Sequence, residues 1–217
     1  SEEAQALLSQ YLEQLDRVEL DAAMTPAERS ALWINAYNAI TVQGVIDGRA
    51  DDPAFRVDED GFAFFQIQRA RVGGLFVSLD LIEHAILRGD AAHASLAAVD
   101  AATGAAALAE HEAIGPFDPR LHFALNCASR SCPNLSGEPY LAATLNDQLD
   151  GQATVFLDDP TKGAGPDGVS SLFLWFAGDF QTVAPVDEFI AMHRTDGLTG
   201  VRIDTYLEYL WSPNDVV

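Results

Sequence analysis

The residue types that could do chemistry gather in one segment, Asp118-Pro-Arg-Leu-His-Phe-Ala-Leu-Asn-Cys-Ala-Ser-Arg-Ser-Cys-Pro133, which holds both cysteines of the chain and one of its five histidines. A cysteine nucleophile needs a base within hydrogen-bond reach and a third group that orients the base. Cys127 is the candidate nucleophile, with Cys132 in reserve, and His122 is the candidate base. Small residues follow Cys127, which keeps its thiol accessible, while Arg130 and nearby backbone N–H groups favour a thiolate. The candidate orienting group is Glu83. It follows Leu79 by four residues and precedes Ile86 by three, so it projects on or beside the apolar face of a helix, where a carboxylate has to be paired. His84, beside it, is the reserve histidine; His93 and His111 flank an alanine-rich stretch and are expected to face solvent. Asn35 and Asn38 share a face of a helix that is apolar nearly all round. Such amides either pin a neighbouring loop or stabilise an oxyanion in the site.

The two cysteines leave three states open: a small local disulfide, inert thiols, or reactive thiols. A zinc site normally shows tighter pairs and a second pair, so a metal site built from Glu83, His122 and the cysteines is the weakest reading. No cofactor is expected. The chain has no G-x-x-x-x-G-K-[ST], no G-x-G-x-x-G after a strand, no H-E-x-x-H and no G-x-S-x-G, which argues against a nucleotide-driven enzyme or a serine hydrolase.

The elements that must position these residues are mostly helical. Glu2–Leu20 is amphipathic through Leu8, Leu12 and Leu15. Thr25-Pro-Ala-Glu28 forms a capping box for a buried helix running to about Asp47 and stopping at Gly48. Residues 62–77 suggest short strands around a Gly73-Gly74 turn, and Ser78 caps a helix over 79–88. The stretch 91–112 suggests one or two helices, 121–127 a buried strand, 141–156 a helix, 158–167 a surface loop, and 169–176 a strand, alone or entering one helical turn. Helices follow over 186–194 and 203–210. The sum is an α+β protein, mostly helical with a small antiparallel sheet, read as one domain over residues 1–217.

Composition limits the partners. With 217 residues, 48% of them hydrophobic, the chain can bury a core, and no apolar run approaches the roughly 20 residues that span a bilayer. The formal charge of −21, from 33 acids against 12 bases, repels phosphate backbones, so a small molecule or peptide is the expected substrate rather than nucleic acid. A salt-rich habitat would favour the same composition. The chain begins at Ser1, a start that a removed signal peptide and a trimmed chain would both give; the periplasm or secretion is the expectation, the cytoplasm the alternative.

Four segments resemble a family of bacteria and plants known as domain of unknown function 547. They are Leu32-Trp-Ile-Asn-Ala-Tyr-Asn-Ala39, Ser78-Leu-Asp-Leu-Ile-Glu-His-Ala-Ile-Leu-Arg88, the Asp118–Pro133 segment, and Ser171-Leu-Phe-Leu-Trp-Phe-Ala-Gly-Asp-Phe180. They cover about residues 26–195, with Ala85 standing where a glycine is common. The resemblance implies that Glu83, His84, His122, Cys127 and Cys132 are signature residues. By analogy of fold, it also implies a papain-type or transglutaminase-type core and acyl transfer or amide hydrolysis. The expected function is therefore a thiol-dependent hydrolase or acyl transferase. Its rivals are a binding module with a degenerate cleft for a peptide or small thiol compound, and a metal-binding protein.

Overall fold

In the computed structural model, which describes residues 1–214, contacts gather into two compact units. The first takes Ser1–Phe117 with Pro139–Ala143, and the second takes Asp118–Glu138 with the chain from Thr144 on.

The first unit is built on helix α2 (Pro26–Asp51). Its N-terminus is the expected capping box: the Thr25 side chain accepts from Glu28 N–H, and the Glu28 carboxylate takes Thr25 N–H at 2.7 Å. Trp33, Ile34, Tyr37 and Ile40 are buried along it. It packs on α5 (Ala101–Ile114) and on a π-helix (Leu81–Leu87) whose buried residues are Leu81, Ile82, Ala85, Ile86 and Leu87. The helix does not stop at Gly48. The Phe55 ring lies so close that a Cβ on Gly48 would come within 2.8 Å of it, so this glycine serves packing inside the last turn. Termination falls at Asp52, extended at φ −139° and ψ 111°, because Pro53 follows.

Helix α1 (Glu2–Asp16) is shorter than its apolar pattern suggested. Leu20 turns back against Gly73, where a Cβ would sit 2.5 Å away, and Gly73 N–H donates to Leu15 O at 2.8 Å. Gly73 has φ +57° and turns strand β1 (Ala70–Val72) into β2 (Leu75–Val77), the expected antiparallel hairpin. Two short helices, α3 (Ala63–Gln66) and α4 (Ala94–Ala97), complete the unit.

The second unit surrounds a phenylalanine-rich core of Phe123, Phe156, Phe173, Phe180 and Phe189 with Leu157 and Ile190. Its elements are α6 (Leu145–Leu157), the hairpin of β3 (Ala164–Gly165) and β4 (Gly168–Val169), α7 (Leu172–Trp175), α8 (Ala177–Phe180) and α9 (Val186–His193). Residues 169–176 follow the second expected form, a strand entering a helical turn.

Three other segments differ from their expected forms. Residues 121–127 are no strand: Asp118 accepts Arg120 N–H at 3.0 Å, Pro119 follows as the first helical residue, and Pro119–Phe123 is a 3₁₀ helix. Residues 158–167 are a surface loop only in part: 160, 161, 166 and 167 are exposed, but 162–165 are buried. Lys162, the one lysine, is 9% exposed, and Arg194 donates to the Leu157 and Ala164 carbonyls across the stretch. Residues 203–210 are not helical: 203–205 turn and 206–210 run extended, because their backbone pairs elsewhere. Leu207 N–H donates to Val169 O at 2.8 Å, and Arg130 and Ser131 N–H donate to Ser212 O and Leu210 O. The fold is thus α+β, mostly helical with two small antiparallel hairpins. Among the described residues no helix is long and apolar enough to cross a membrane.

Candidate functional site

The Cys127 segment is a tight loop held from inside and outside. Asn126 Oδ1 accepts Ala128 N–H at 2.9 Å, and its Nδ2 donates to Pro133 O at 2.7 Å. Ala128 sits at φ +62°, a left-handed conformation that an alanine adopts at a cost of about 1 kcal/mol. Cys132 N–H closes on Ser129 O at 3.1 Å, and Lys162 donates to Cys132 O at 3.2 Å and to Asn134 Oδ1 at 2.7 Å. From outside, the C-terminal segment runs alongside. Asn214 N–H donates to Ala128 O, and Leu210 N–H to Ser131 Oγ at 2.9 Å.

That segment brings Tyr209 to the sulfur. Thr205, Leu207 and Tyr209 are half-buried while Tyr206, Glu208 and Leu210 between them are exposed, the period of two of an extended chain. The Tyr209 hydroxyl lies 3.1 Å from Cys127 Sγ and 3.1 Å from Ser129 Oγ, and Ser129 Oγ lies 3.2 Å from the same sulfur. Both cysteines are free thiols in the structure. Cys127 is half-buried and Cys132 is 2% exposed. Burial pushes the Cys127 thiol up, but hydrogen bonding with Cys132, Ser129 and Tyr209 outweighs it and holds the group down to about 7. The groups that lower it are these neighbours, not Arg130, which is exposed. Cys132 moves the other way, raised well above the ordinary thiol range by burial and by Cys127 beside it. Tyr209 is raised by burial and by the two sulfurs. Around Tyr209 the rings of Trp175 and Trp211 stand 4.7 and 4.5 Å away, and Trp175 is 47% exposed.

His122 is buried and stacks on Phe176 at 4.1 Å, with its Nε2 2.8 Å from Asp179 Oδ2. An imidazole–carboxylate pair therefore exists, with Asp179 as the carboxylate. His122 is not among the hydrogen-bond partners of Cys127, which are hydroxyls, the Cys132 thiol and the Ser129 N–H.

The other predicted residues belong to the first unit. Glu83 Oε2 accepts from Tyr37 Oη at 3.1 Å. His84 Nδ1 lies 2.7 Å from Arg88 and its ring stacks on His93 at 3.9 Å, so His93 is not simply solvent-facing. Nor is His111, whose Nδ1 lies 3.2 Å from Ile86 O and from Leu87 O. Asn35 pins the Tyr140 backbone, donating to its carbonyl at 2.8 Å and accepting its N–H at 2.9 Å. That is the loop-pinning role, and it occupies both ends of the amide. Asn38 is buried on the same helix. The depressions of about 410 and 240 Å³ along Arg69 and Ala70 are also in this unit and hold none of the predicted site residues. Among the described residues, no three His, Cys, Asp or Glu side chains converge as metal ligands.

Sequence reasoning missed Tyr209, Ser129 and Asp179. The alternation of 205, 207 and 209 could have pointed to the first; Asp179 lies in the fourth of the segments that carry the family resemblance, but nothing in that segment marked it as the partner of His122.

A mostly helical α+β chain with a hydrogen-bonded thiol pair is the class that fold and site define. The model of the family described as "Protein of unknown function, DUF547" matches residues 22–157, and the chain belongs to that family. No curated protein and no solved structure matches it. The match contains Glu83, His84, His122, Cys127 and Cys132 and ends before Trp175, Asp179 and Tyr209.

Proposed function

We propose that the second unit carries a thiol-dependent acyl-transfer or hydrolase site with Cys127 as its nucleophile. The observation that carries this reading is the pair of hydroxyls, Tyr209 and Ser129, at 3.1 and 3.2 Å from a half-buried sulfur. Both can donate to a thiolate, and a thiol near pH 7 is part ionised at neutrality without a base in contact. In the proposed reaction the sulfur attacks an ester or amide carbonyl. The S–C bond forms, the bond to the leaving oxygen or nitrogen breaks, and that atom takes a proton. Water or an amine then releases the acyl group from the thioester. The Tyr209 hydroxyl stands at the reacting atom to hand over that proton. His122 lies five residues upstream of Cys127 in the chain, and Asp179, 57 residues beyond His122, takes within this unit the orienting role first sought in Glu83. The exposed ring of Trp175 offers a flat apolar contact for the acyl or leaving group.

One observation favours the rival reading, a binding module that holds a small thiol compound or peptide without turnover: the thiol is bonded to hydroxyls and not to the imidazole. An activated ester separates the two. With p-nitrophenyl acetate, the native protein is expected to release a burst of p-nitrophenol and carry an acetyl group on Cys127, and His122→Asn is expected to slow deacylation. If Cys127→Ala leaves the burst unchanged, the nucleophile reading falls. If Cys127 alkylates readily at neutral pH yet never acylates, the binding module stands.

A further inference from the structure

We propose that Cys127 and Cys132 form a peroxide-sensitive modification site, in which Cys127 is oxidised and Cys132 closes a reversible disulfide upon it. The inference rests on the reading of Cys127 as an activated thiol. Three features of the loop support it.

The first is that the ring is already closed. The backbone N–H of Cys127 donates to Cys132 Sγ at 2.7 Å, and inside the same turn Cys132 N–H returns to Ser129 O at 3.1 Å. Asn126 ties the entry of the loop to its exit through Pro133 O at 2.7 Å. Forming the S–S bond therefore fixes little chain that is not fixed already, which removes most of the entropy cost of closure.

The second is asymmetry between the sulfurs. Cys127 is half-buried and ionises easily, whereas Cys132 is 2% exposed, keeps its proton and donates toward Leu125 O at 3.6 Å. Oxidants attack accessible thiolates, so the outer sulfur is the one that reacts and the inner one is preserved as the resolving thiol.

The third is that, within the chain, Cys127 is the one thiol with which the inner sulfur can pair, since there are two cysteines. The Cys127 thiolate attacks one oxygen of a hydroperoxide; the S–O bond forms, the O–O bond breaks, and the departing oxide takes a proton to leave as water or an alcohol. The sulfur of Cys132 then attacks the sulfenic sulfur. The S–S bond forms, the S–O bond breaks, and the hydroxide leaves as water with the proton of Cys132. Two thiols have given two electrons to one hydroperoxide. The disulfide pulls Cys127 away from Tyr209 and Ser129 and removes the nucleophile until a reducing thiol restores it.

The test uses the whole reduced chain, treated with one equivalent of hydrogen peroxide, denatured in maleimide without reductant and mapped by peptide mass. The expected result is loss of both maleimide-reactive thiols, one cross-linked Cys127–Cys132 peptide, and recovery of both with dithiothreitol. In Cys132→Ser, Cys127 is expected to stop at a sulfenic acid trapped by dimedone; Cys132→Ala serves if the serine variant does not fold. Cys127 found as sulfinic acid beside an intact Cys132 thiol overturns the pair and leaves the activated thiol standing. A native Cys127 inert to both peroxide and maleimide overturns both.

Discussion

The Cys132 thiol and two hydroxyls together hold the ionisation of the Cys127 sulfur down. Hydrogen bonds to a charged group contribute roughly 1.5–3 kcal/mol, which corresponds to about one to two pH units. Removing one donor therefore moves the ionisation upward by that order. Tyr209→Phe is expected to shift the midpoint of Cys127 alkylation from about pH 7 to above pH 8, and Ser129→Ala in the same direction. The measurement is maleimide or iodoacetamide rate against pH; an unmoved midpoint would show that the hydroxyls do not stabilise the thiolate. A second residue acts in the opposite sense. Asp80 is pushed up to about 6 by burial and then by Glu83. Its folded pKa lies above its unfolded one, so the folded state holds the proton more tightly. Stability tied to this group is full below about pH 4 and declines as pH rises to about 6. Asp80→Asn is expected to stabilise the protein by about 1 kcal/mol at pH 7, with the gain fading toward pH 4 in denaturant titrations.

Among the elements, α2 and α5 are joined by a buried charge. Arg29 donates to Glu110 at 2.6 Å, and Trp33 Nε1 donates to the other carboxylate oxygen at 3.1 Å; Arg29 and Glu110 are both buried. Glu110→Ala leaves the guanidinium uncompensated and is expected to cost about 3–5 kcal/mol, read from the denaturation midpoint. A loss below about 1 kcal/mol would mean that water reaches the pair. The π-helix beside them fits the same view: Arg88 N–H reaches Glu83 O at 3.0 Å, and the wide turn carries Glu83 and His84, residues whose placement had marked this helix as unusual.

Across the whole molecule the charge of −21 opposes compaction in both units. With 33 acids against 12 bases, most acids have no basic residue left to pair with, and exposed charges are screened within a Debye length of about 8 Å at physiological ionic strength. The melting temperature is expected to rise steadily with sodium chloride up to about 1 M, followed by calorimetry or near-UV dichroism. A flat response would show that counter-ions already neutralise the surface at low salt.

Local signals carried what depends on neighbours in the chain: the Thr25–Glu28 capping box, the Gly73-Gly74 hairpin, the buried α2, and the concentration of chemistry between His122 and Cys132. These follow from side-chain propensities and periodicity, which act over a turn or two. The environment of Cys127 did not follow. Tyr209 comes from 82 residues away, and Asp179 stands 57 residues from His122. The misread segments 121–127 and 203–210 are short stretches whose backbone was settled by where its N–H and C=O groups found acceptors and donors. A proline and an aspartate cap turned the first into a 3₁₀ helix, and Val169 and the Cys127 loop drew the second out straight. Residue types thus determined that a thiol pair and a histidine would be present. Which groups meet the sulfur, and therefore how easily it ionises, was decided only when the distant segment closed over it.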